Sequence, residues 1–309
     1  MKAIFMGTPD FAVPILESMI EAGCEVLLAV TQPDRPKGRH GELTPSPVKE
    51  SAIAHGIDVF QPESLKDGSG VDRLQSLEPD FIVVAAYGQI LPKAVLDIPK
   101  HCCVNIHASL LPEYRGASPI QHSILDGRKV TGVTAMRMDE GLDTGDIIMT
   151  LEVPISDDDT AGTLFDKLAA AGGKLIPRVL EAIEDGSAKY TPQDDSKVSY
   201  TGMIRKSDGL IDFERSAVEL SFFVRGMNPW PGAYTYLKDK TLKLWEVSAV
   251  EGISLAPGQI EVTPEGELYI GCGQGALRVE SLQLAGKKRM DTASFLRGMR
   301  LNTGDKLGM

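Results

Sequence analysis

Residues 80–109 read DFIVVAAYGQILPKAVLDIPKHCCVNIHAS, and two runs within them decide the architecture. DFIVVAAYG (80–88) is apolar on both faces, as strands are inside a parallel sheet that helices cover on either side. HCCVNIHAS (101–109) reads as the next strand, yet it carries Asn105 and His107 two positions apart. Strand side chains alternate faces, so the carboxamide and the imidazole point the same way. Upstream, KAIFM (2–6), EVLLAVTQ (25–32) and IDVFQ (57–61) repeat the strand pattern. Between them DFAVPILESMIEAG (10–23), VKESAIAHG (48–56) and VDRLQSLEP (71–79) suit helices, the first with Asp10 at or near its cap and Gly23 closing it. This alternation predicts an α/β unit with a mostly parallel sheet.

The Pro- and Gly-rich TQPDRPKGRHGELTPSPV (31–48) is expected to be a loop. Downstream, SPIQHSILDG (118–127) suits a helix, VTGVTAMRM (130–138) and GDIIMTLEVPI (145–155) paired strands, and residues 160–186 a long helix deformed at Pro177. YTPQDDSKVSYTGMIRKSDG (190–209) is polar and turn-rich, which sets a first domain at 1–188, a linker at 189–205 and a second domain at 206–309. After a helical stretch at AVELSFFVRGM (217–227), the second domain reads as short strands: AYTYLK, TLKLWEVSAV, GQIEVTPEGELYIGCG and ALRVESLQLAG. Turn signals at intervals of about 8–12 residues argue for a small β-barrel or sandwich.

The chain has 309 residues, 42% hydrophobic and 24% charged, an ordinary globular composition. No apolar run approaches the roughly 20 residues that span a bilayer, and the opening MKAIFMGTPDF is too short for a signal-peptide core. Cys24, Cys102, Cys103 and Cys272 show neither zinc-ligand spacing nor a disulfide framework. A cytoplasmic protein with reduced thiols and no membrane partner is the expectation. The net charge of −11 argues against nucleic acid at first sight, but it is uneven. Residues 205–309 carry 14 Lys+Arg against 13 Asp+Glu, leaving 18 against 30 for residues 1–204. The acidity belongs to the first part, and the last third can still present a basic face.

Doubly wound sheets bind ligands beyond the carboxyl ends of their strands, where Asn105 and His107 fall. The polar run MDEGLDTGD (138–146) offers Asp139, Asp143 and Asp146 as partners for the imidazole. A neutral donor, a titratable ring and a carboxylate, with no evident nucleophile nearby, suit direct group transfer through a stabilised tetrahedral intermediate. The same residues also fit a hydrogen-bonded structural pair and an ordinary acidic turn, or even a weak metal site. The acidic spacing does not match an EF-hand loop, and GTPDFAVP (7–14) is not G-x-G-x-x-G.

NIHASLLPEYRGASPIQ (105–121), followed by DEGLDTGDI, resembles the folate-dependent formyltransferases. The resemblance implies a Rossmann-like doubly wound sheet followed by a C-terminal OB-like β-barrel, with 10-formyltetrahydrofolate as cosubstrate and no metal. It assigns catalysis to Asn105, His107 and Asp143, and folate contact to Ser109, Leu110, Leu111 and Pro112. AAYGQILP (85–92), with Gln89, Ile90 and Leu91, resembles the family's pterin-pocket loop. FMGTPDFAVPIL, TQPDRPKGR, SPVK, NPWPGA and LQLAGKKRM are similar to the branch that formylates methionyl initiator tRNA; enzymes acting on amino-sugar nucleotides are the alternative acceptor class, and a non-catalytic folate- or RNA-binding module is a further one. For tRNA the resemblance points to Arg39 and to Lys287, Lys288 and Arg289, with Arg297 and Arg300 shortly after; a solvated turn is the plainer reading of that basic run. His40, Gly41 and Glu42 depart from the more basic loops of the branch, and Glu42 would repel phosphate. A monomer is expected, and Trp230 is expected in the core.

Overall fold

The computed structural model describes residues 1–37, 42–66, 70–299 and 301–308, so Arg39, His40, Gly41 and Arg300 lie outside the described residues, as does the side chain of Glu42. The chain forms two compact units. One comprises Met1–Pro119, Val130–Pro154 and Phe165–Thr201; the other Ile120–Lys129, Ile155–Leu164 and Gly202–Met309.

The first unit is built on a seven-stranded sheet in the order Ile147–Pro154, Val130–Arg137, Cys102–His107, Phe81–Ala85, Lys2–Gly7, Glu25–Val30, Val59–Phe60. The five strands from Cys102–His107 to Val59–Phe60 run parallel, and the two at the other edge are antiparallel. Phe81–Ala85 is buried along its whole length, as a central parallel strand must be. The strand order reverses between Lys2–Gly7 and Phe81–Ala85, the point where such sheets leave a crevice at their carboxyl ends. There Tyr87 O accepts from Thr8 Oγ1 and Gln32 Nε2, both at 3.2 Å, tying the loops after three strands together. The Tyr87 side chain is buried with Leu65, Leu74 and Val95, and burial pushes its hydroxyl up to about 12.

The helix Ala161–Glu184 continues past Pro177, where a deformation was expected. Its two adjacent glycines explain how closely it lies on the strand Cys102–His107 and on the helix Val13–Glu21. A Cβ at Gly172 would stand 3.1 Å from Ile106 Cγ2, and one at Gly173 would meet Pro14 O at 2.9 Å. The helix therefore backs the strand that carries Asn105 and His107. Local signals differ in two places. Asp10 opens a 3₁₀ turn (Asp10–Ala12) rather than capping the helix Val13–Glu21, whose N-cap is Ala12. The expected loop after residue 31 holds a short antiparallel pair, Arg35–Lys37 with Glu42–Thr44. At its base Lys49 Nζ meets Asp34 Oδ2 at 2.6 Å and Gln61 Nε2 donates to Asp34 Oδ1 at 2.7 Å, and these hydrogen bonds, Lys49 first, lower the Asp34 carboxyl. Ser46 caps the next helix, Pro47–Ala54, accepting from Lys49 N at 3.1 Å.

The second unit carries an antiparallel, OB-like sheet in the order Tyr234–Leu237, Lys240–Val250, Ala276–Leu284, Leu268–Gly271, Ile260–Val262, with Met290–Asp291 added to Ala276–Leu284. Register shifts in the long strand between Leu244 and Val247 supply the bulge that lets a small sheet curl. The helix Ala217–Gly226 closes the core with Leu220 and Val224 against Leu242, Leu244, Ile270 and Leu282. A capping box joins Ser216 and Glu219 at its start. A further helix, Thr292–Gly298, was not anticipated; Asp291 caps it by accepting from Ser294 N at 2.8 Å. Trp230 corrects an expectation: it is 54% exposed, not a core residue. All four cysteines are buried and free, and among the described residues no helix is long and apolar enough to cross a membrane.

Candidate active site

The strand Cys102–His107 presents its end to the crevice with Asn105 half-buried and His107 buried. Asn105 lies opposite Val84 on one side and Met136 on the other, and His107 lies opposite Thr134. Ladder pairing thus fixes the backbone from which the two polar side chains project. The Asn105 carboxamide makes no hydrogen bond to another described residue, whereas the imidazole has a partner on each nitrogen.

His107 Nε2 is 2.9 Å from Tyr114 O. A carbonyl can only accept, so this nitrogen carries the hydrogen. Tyr114 has φ of 60°, in the left-handed region, and that turn aims its carbonyl back at the ring. The other nitrogen, Nδ1, faces Asp143 Oδ2 at 3.6 Å, an ion-pair distance too long for a hydrogen bond. Asp143 Oδ2 also accepts from Gly116 N at 2.9 Å, which orients the carboxylate. Asp143 itself has φ of 54°. The sequence left three acids open, and the structure brings only Asp143 to the imidazole. Asp139 Oδ1 is occupied by Gly141 N at 3.0 Å and Thr144 Oγ1 at 2.6 Å, folding its own loop, while Asp146 O accepts from Arg137 N at 2.9 Å. Among the described residues no group of three or more His, Cys, Asp or Glu could hold a metal ion.

The tetrad Ser109–Pro112 forms the turn that follows the strand. Ser109 is fully buried, and its hydroxyl donates to Glu113 O at 2.6 Å. Thr134 Oγ1 links Ser109 O at 2.7 Å to Leu111 N at 3.1 Å. What this turn can offer a ligand is therefore Leu110 and Pro112, both partly exposed, and backbone, since Leu111 is buried. In the other loop Leu91 is buried, Ile90 is 60% exposed, and Gln89 Nε2 donates to Glu63 O at 3.3 Å. A cavity of about 420 Å³ lies beside the Asp143 loop, lined by Leu96, Cys103, Met138, Asp139 and Glu140 among others. Burial raises the Cys103 thiol well above its ordinary value, leaving it an apolar wall rather than a nucleophile.

Sequence reasoning missed Tyr114, Gly116, Arg115 and Gln193, which all support the site. Arg115 is 3% exposed and donates to Gln193 Oε1 from Nε at 3.0 Å and from Nη2 at 2.8 Å. The YRGASP run carried the only local signal for the first three, and nothing local marks Gln193.

In the second unit Lys287 and Lys288 are exposed, and neither ammonium pairs with another described residue. Arg289 is engaged: it pairs with Glu246, donates to Ser281 Oγ at 2.8 Å and lies 5.5 Å from the Trp245 ring centroid. Lys243 Nζ approaches the same ring at 5.2 Å.

Comparison with known proteins agrees with this layout. Residues 1–180 match the formyl transferase family model and residues 203–300 match the formyl transferase C-terminal domain. A methionyl-tRNA formyltransferase of Agathobacter rectalis is 50% identical over 305 residues, 98% of either chain. One of Bacillus subtilis is 48% identical, covering 100% of this chain and 98% of its own. Among solved structures, an N-formyltransferase from Helicobacter canadensis, in complex with folinic acid and dTDP-3-aminofucose, shares the fold with a TM-score of 0.70 at 20% identity, over 90% of this chain and 98% of its own. By two family models and near-complete matches at about half identity, the chain belongs to the formyl transferase family.

Proposed function

We infer that the protein transfers the formyl group of 10-formyltetrahydrofolate to the α-amine of methionyl initiator tRNA, with Asn105, His107 and Asp143 as its catalytic groups. The observation that carries the chemistry is the imidazole held from both sides next to an uncommitted carboxamide. The acceptor rests on end-to-end similarity to relatives that bear that name.

The amine attacks the formyl carbon directly, and the carbonyl oxygen becomes the oxyanion of a tetrahedral intermediate. The Asn105 carboxamide donates to that oxygen. Because Nε2–H of His107 is committed to Tyr114 O, Nδ1 is the edge that works. Asp143 stands 3.6 Å from Nδ1, so that edge, held in its working state by the carboxylate, is open to hydrogen-bond the oxyanion. Asp143, through a water, helps carry the amine proton toward the departing folate nitrogen. Collapse of the intermediate breaks the bond to that nitrogen and leaves the formylated amine. The cavity beside the Asp143 loop has the size and mixed lining for the pterin, and Gln89–Leu91 and the Ser109–Pro112 turn contact the folate, as the resemblance of their segments to the family's folate-binding loops implies. Lys287, Lys288 and Arg289, together with Arg39, serve the tRNA backbone. The enzyme works in the cytoplasm, as a monomer.

An acceptor assay tests this. Labelled 10-formyltetrahydrofolate is offered with charged initiator tRNA, charged elongator tRNA or an amino-sugar nucleotide, and label is expected on the initiator tRNA. Label on the sugar nucleotide alone would overturn the acceptor, and label on none would overturn the activity. Arg39→Ala is expected to weaken use of tRNA while leaving folate affinity nearly unchanged; equal losses in both would remove Arg39 from tRNA binding.

A further inference from the structure

We propose that residues 191–201 are a positioning strap for the reaction, in which Gln193 and Ser199 fix the two partners of the His107 ring. This rests on the reading of His107 and Asp143 as catalytic. The strap is tied to the first unit at both ends. Thr191 exchanges backbone hydrogen bonds with Ile147 at 2.8 and 2.9 Å, and Tyr200–Thr201 pairs in parallel with Arg115–Gly116. Between these anchors two side chains point at the site's supports.

Gln193 Nε2 donates to Asp143 O at 2.8 Å and to Gly145 O at 2.7 Å, while its Oε1 takes the two hydrogen bonds from Arg115. All four hydrogen-bonding positions of this carboxamide are filled. Its orientation is dictated, because a guanidinium can only donate and a carbonyl can only accept. No other side chain of this size offers both. Asp143 sits in a left-handed turn with φ of 54°, a conformation that needs outside support when the residue is not glycine. Gln193 supplies that support from 50 residues away. Arg115 joins the halves: its side chain holds Gln193, and the next residue, Gly116, donates its N–H to Asp143 Oδ2.

Ser199 holds the other edge of the ring. Its Oγ accepts from Tyr114 N at 2.8 Å and its carbonyl accepts from Arg115 N at 2.8 Å. Tyr114, also left-handed at φ of 60°, is thereby fixed with its carbonyl on His107 Nε2. One short segment thus sets the partner on Nδ1 through Gln193 and the partner on Nε2 through Ser199. Neither strap residue contacts the imidazole, so both are positioning residues.

Gln193→Glu tests the assignment. It keeps the shape and strengthens the contact to Arg115, but it turns a carboxylate oxygen on the carbonyls of Asp143 and Gly145. We expect kcat to fall at least about tenfold, with KM for folate and for charged tRNA within about twofold and the thermal midpoint little changed. In an Asp143→Ala background the same substitution should produce no further loss of kcat, because Gln193 acts through Asp143. Unchanged kcat in Gln193→Glu overturns the proposal, and so does an equal loss in both backgrounds, which would mark a general structural role. Should Gln193→Glu fail to fold, Ser199→Ala decides. It removes one acceptor without adding charge and should lower kcat about threefold at unchanged KM; no effect on kcat overturns the strap. Near-normal turnover in Asp143→Ala alone would instead overturn the catalytic reading on which the strap depends.

Discussion

Around His107 the polar atoms are nearly all matched: Tyr114 O on Nε2, Asp143 at Nδ1, Gly116 N on Asp143, Gln193 on the backbone of Asp143. The basic region of the second unit is different. Lys287 and Lys288 are exposed, and Trp245 is flanked by Lys243 and Arg289. On the proposed function the first region has to bring one group to one atom, whereas the second has to offer charge and aromatic surface to a large partner and tolerates a few tenths of an ångström. Damage to the first should therefore appear in kcat and be insensitive to salt. Damage to the second should appear in binding and diminish as salt screens it.

Substitutions can break or sharpen this contrast. The largest effect is expected from His107→Ala, Asn105→Ala or Asp143→Ala, each lowering kcat at least about 100-fold with the fold kept. Single-turnover rates with saturating substrates check this, and a folded His107→Ala protein with near-normal turnover would dissolve the contrast. Next, replacing Lys287 and Lys288 together by Ala should raise KM for charged tRNA about tenfold at low salt. The slope of log affinity against log salt should fall by about one for each lysine, with kcat retained. A loss confined to kcat would move these lysines out of the binding surface. Arg289→Ala should cost less, about threefold in KM, because its guanidinium already answers Glu246 and Ser281. If Arg289→Ala exceeded the double lysine change, stacking beside Trp245 would outweigh exposed charge. The smallest effect is local: Ser216→Ala should lower stability by about 1 kcal/mol by chemical denaturation, through the capping box, and leave kcat unchanged.

The sheet and most helices were legible because period and burial repeat along each segment. The apolar run at 80–88 and the two-residue spacing of Asn105 and His107 needed no outside information. The short pair Arg35–Lys37 and Glu42–Thr44 was not legible, since a Pro-bearing three-residue strand shows no alternation. The helix Thr292–Gly298 escaped for a similar reason: two turns are too few for an apolar stripe, although Asp291 stood at the cap position. Trp230 was misplaced because a large aromatic between two prolines reads as core by composition alone, while its exposure depends on the turn around it. Within the site, spacing put Asn105 and His107 together but could not choose among Asp139, Asp143 and Asp146. That choice depended on the Asp139 side chain folding back on Thr144. Gln193 and Ser199 act across separations of 50 and 85 residues, and no local pattern records such contacts.

The left-handed backbone of Asp143 carries a consequence for laboratory evolution. At φ of 54° a glycine is relaxed and an asparagine is tolerated, whereas aspartate holds this conformation at a cost of about 1 kcal/mol. A selection for heat tolerance alone would set that relief against the lost hydrogen bond from Gly116 N, and any Asp143→Gly protein it collects should be catalytically silent. A library screened for turnover should keep the carboxylate and find its gains elsewhere.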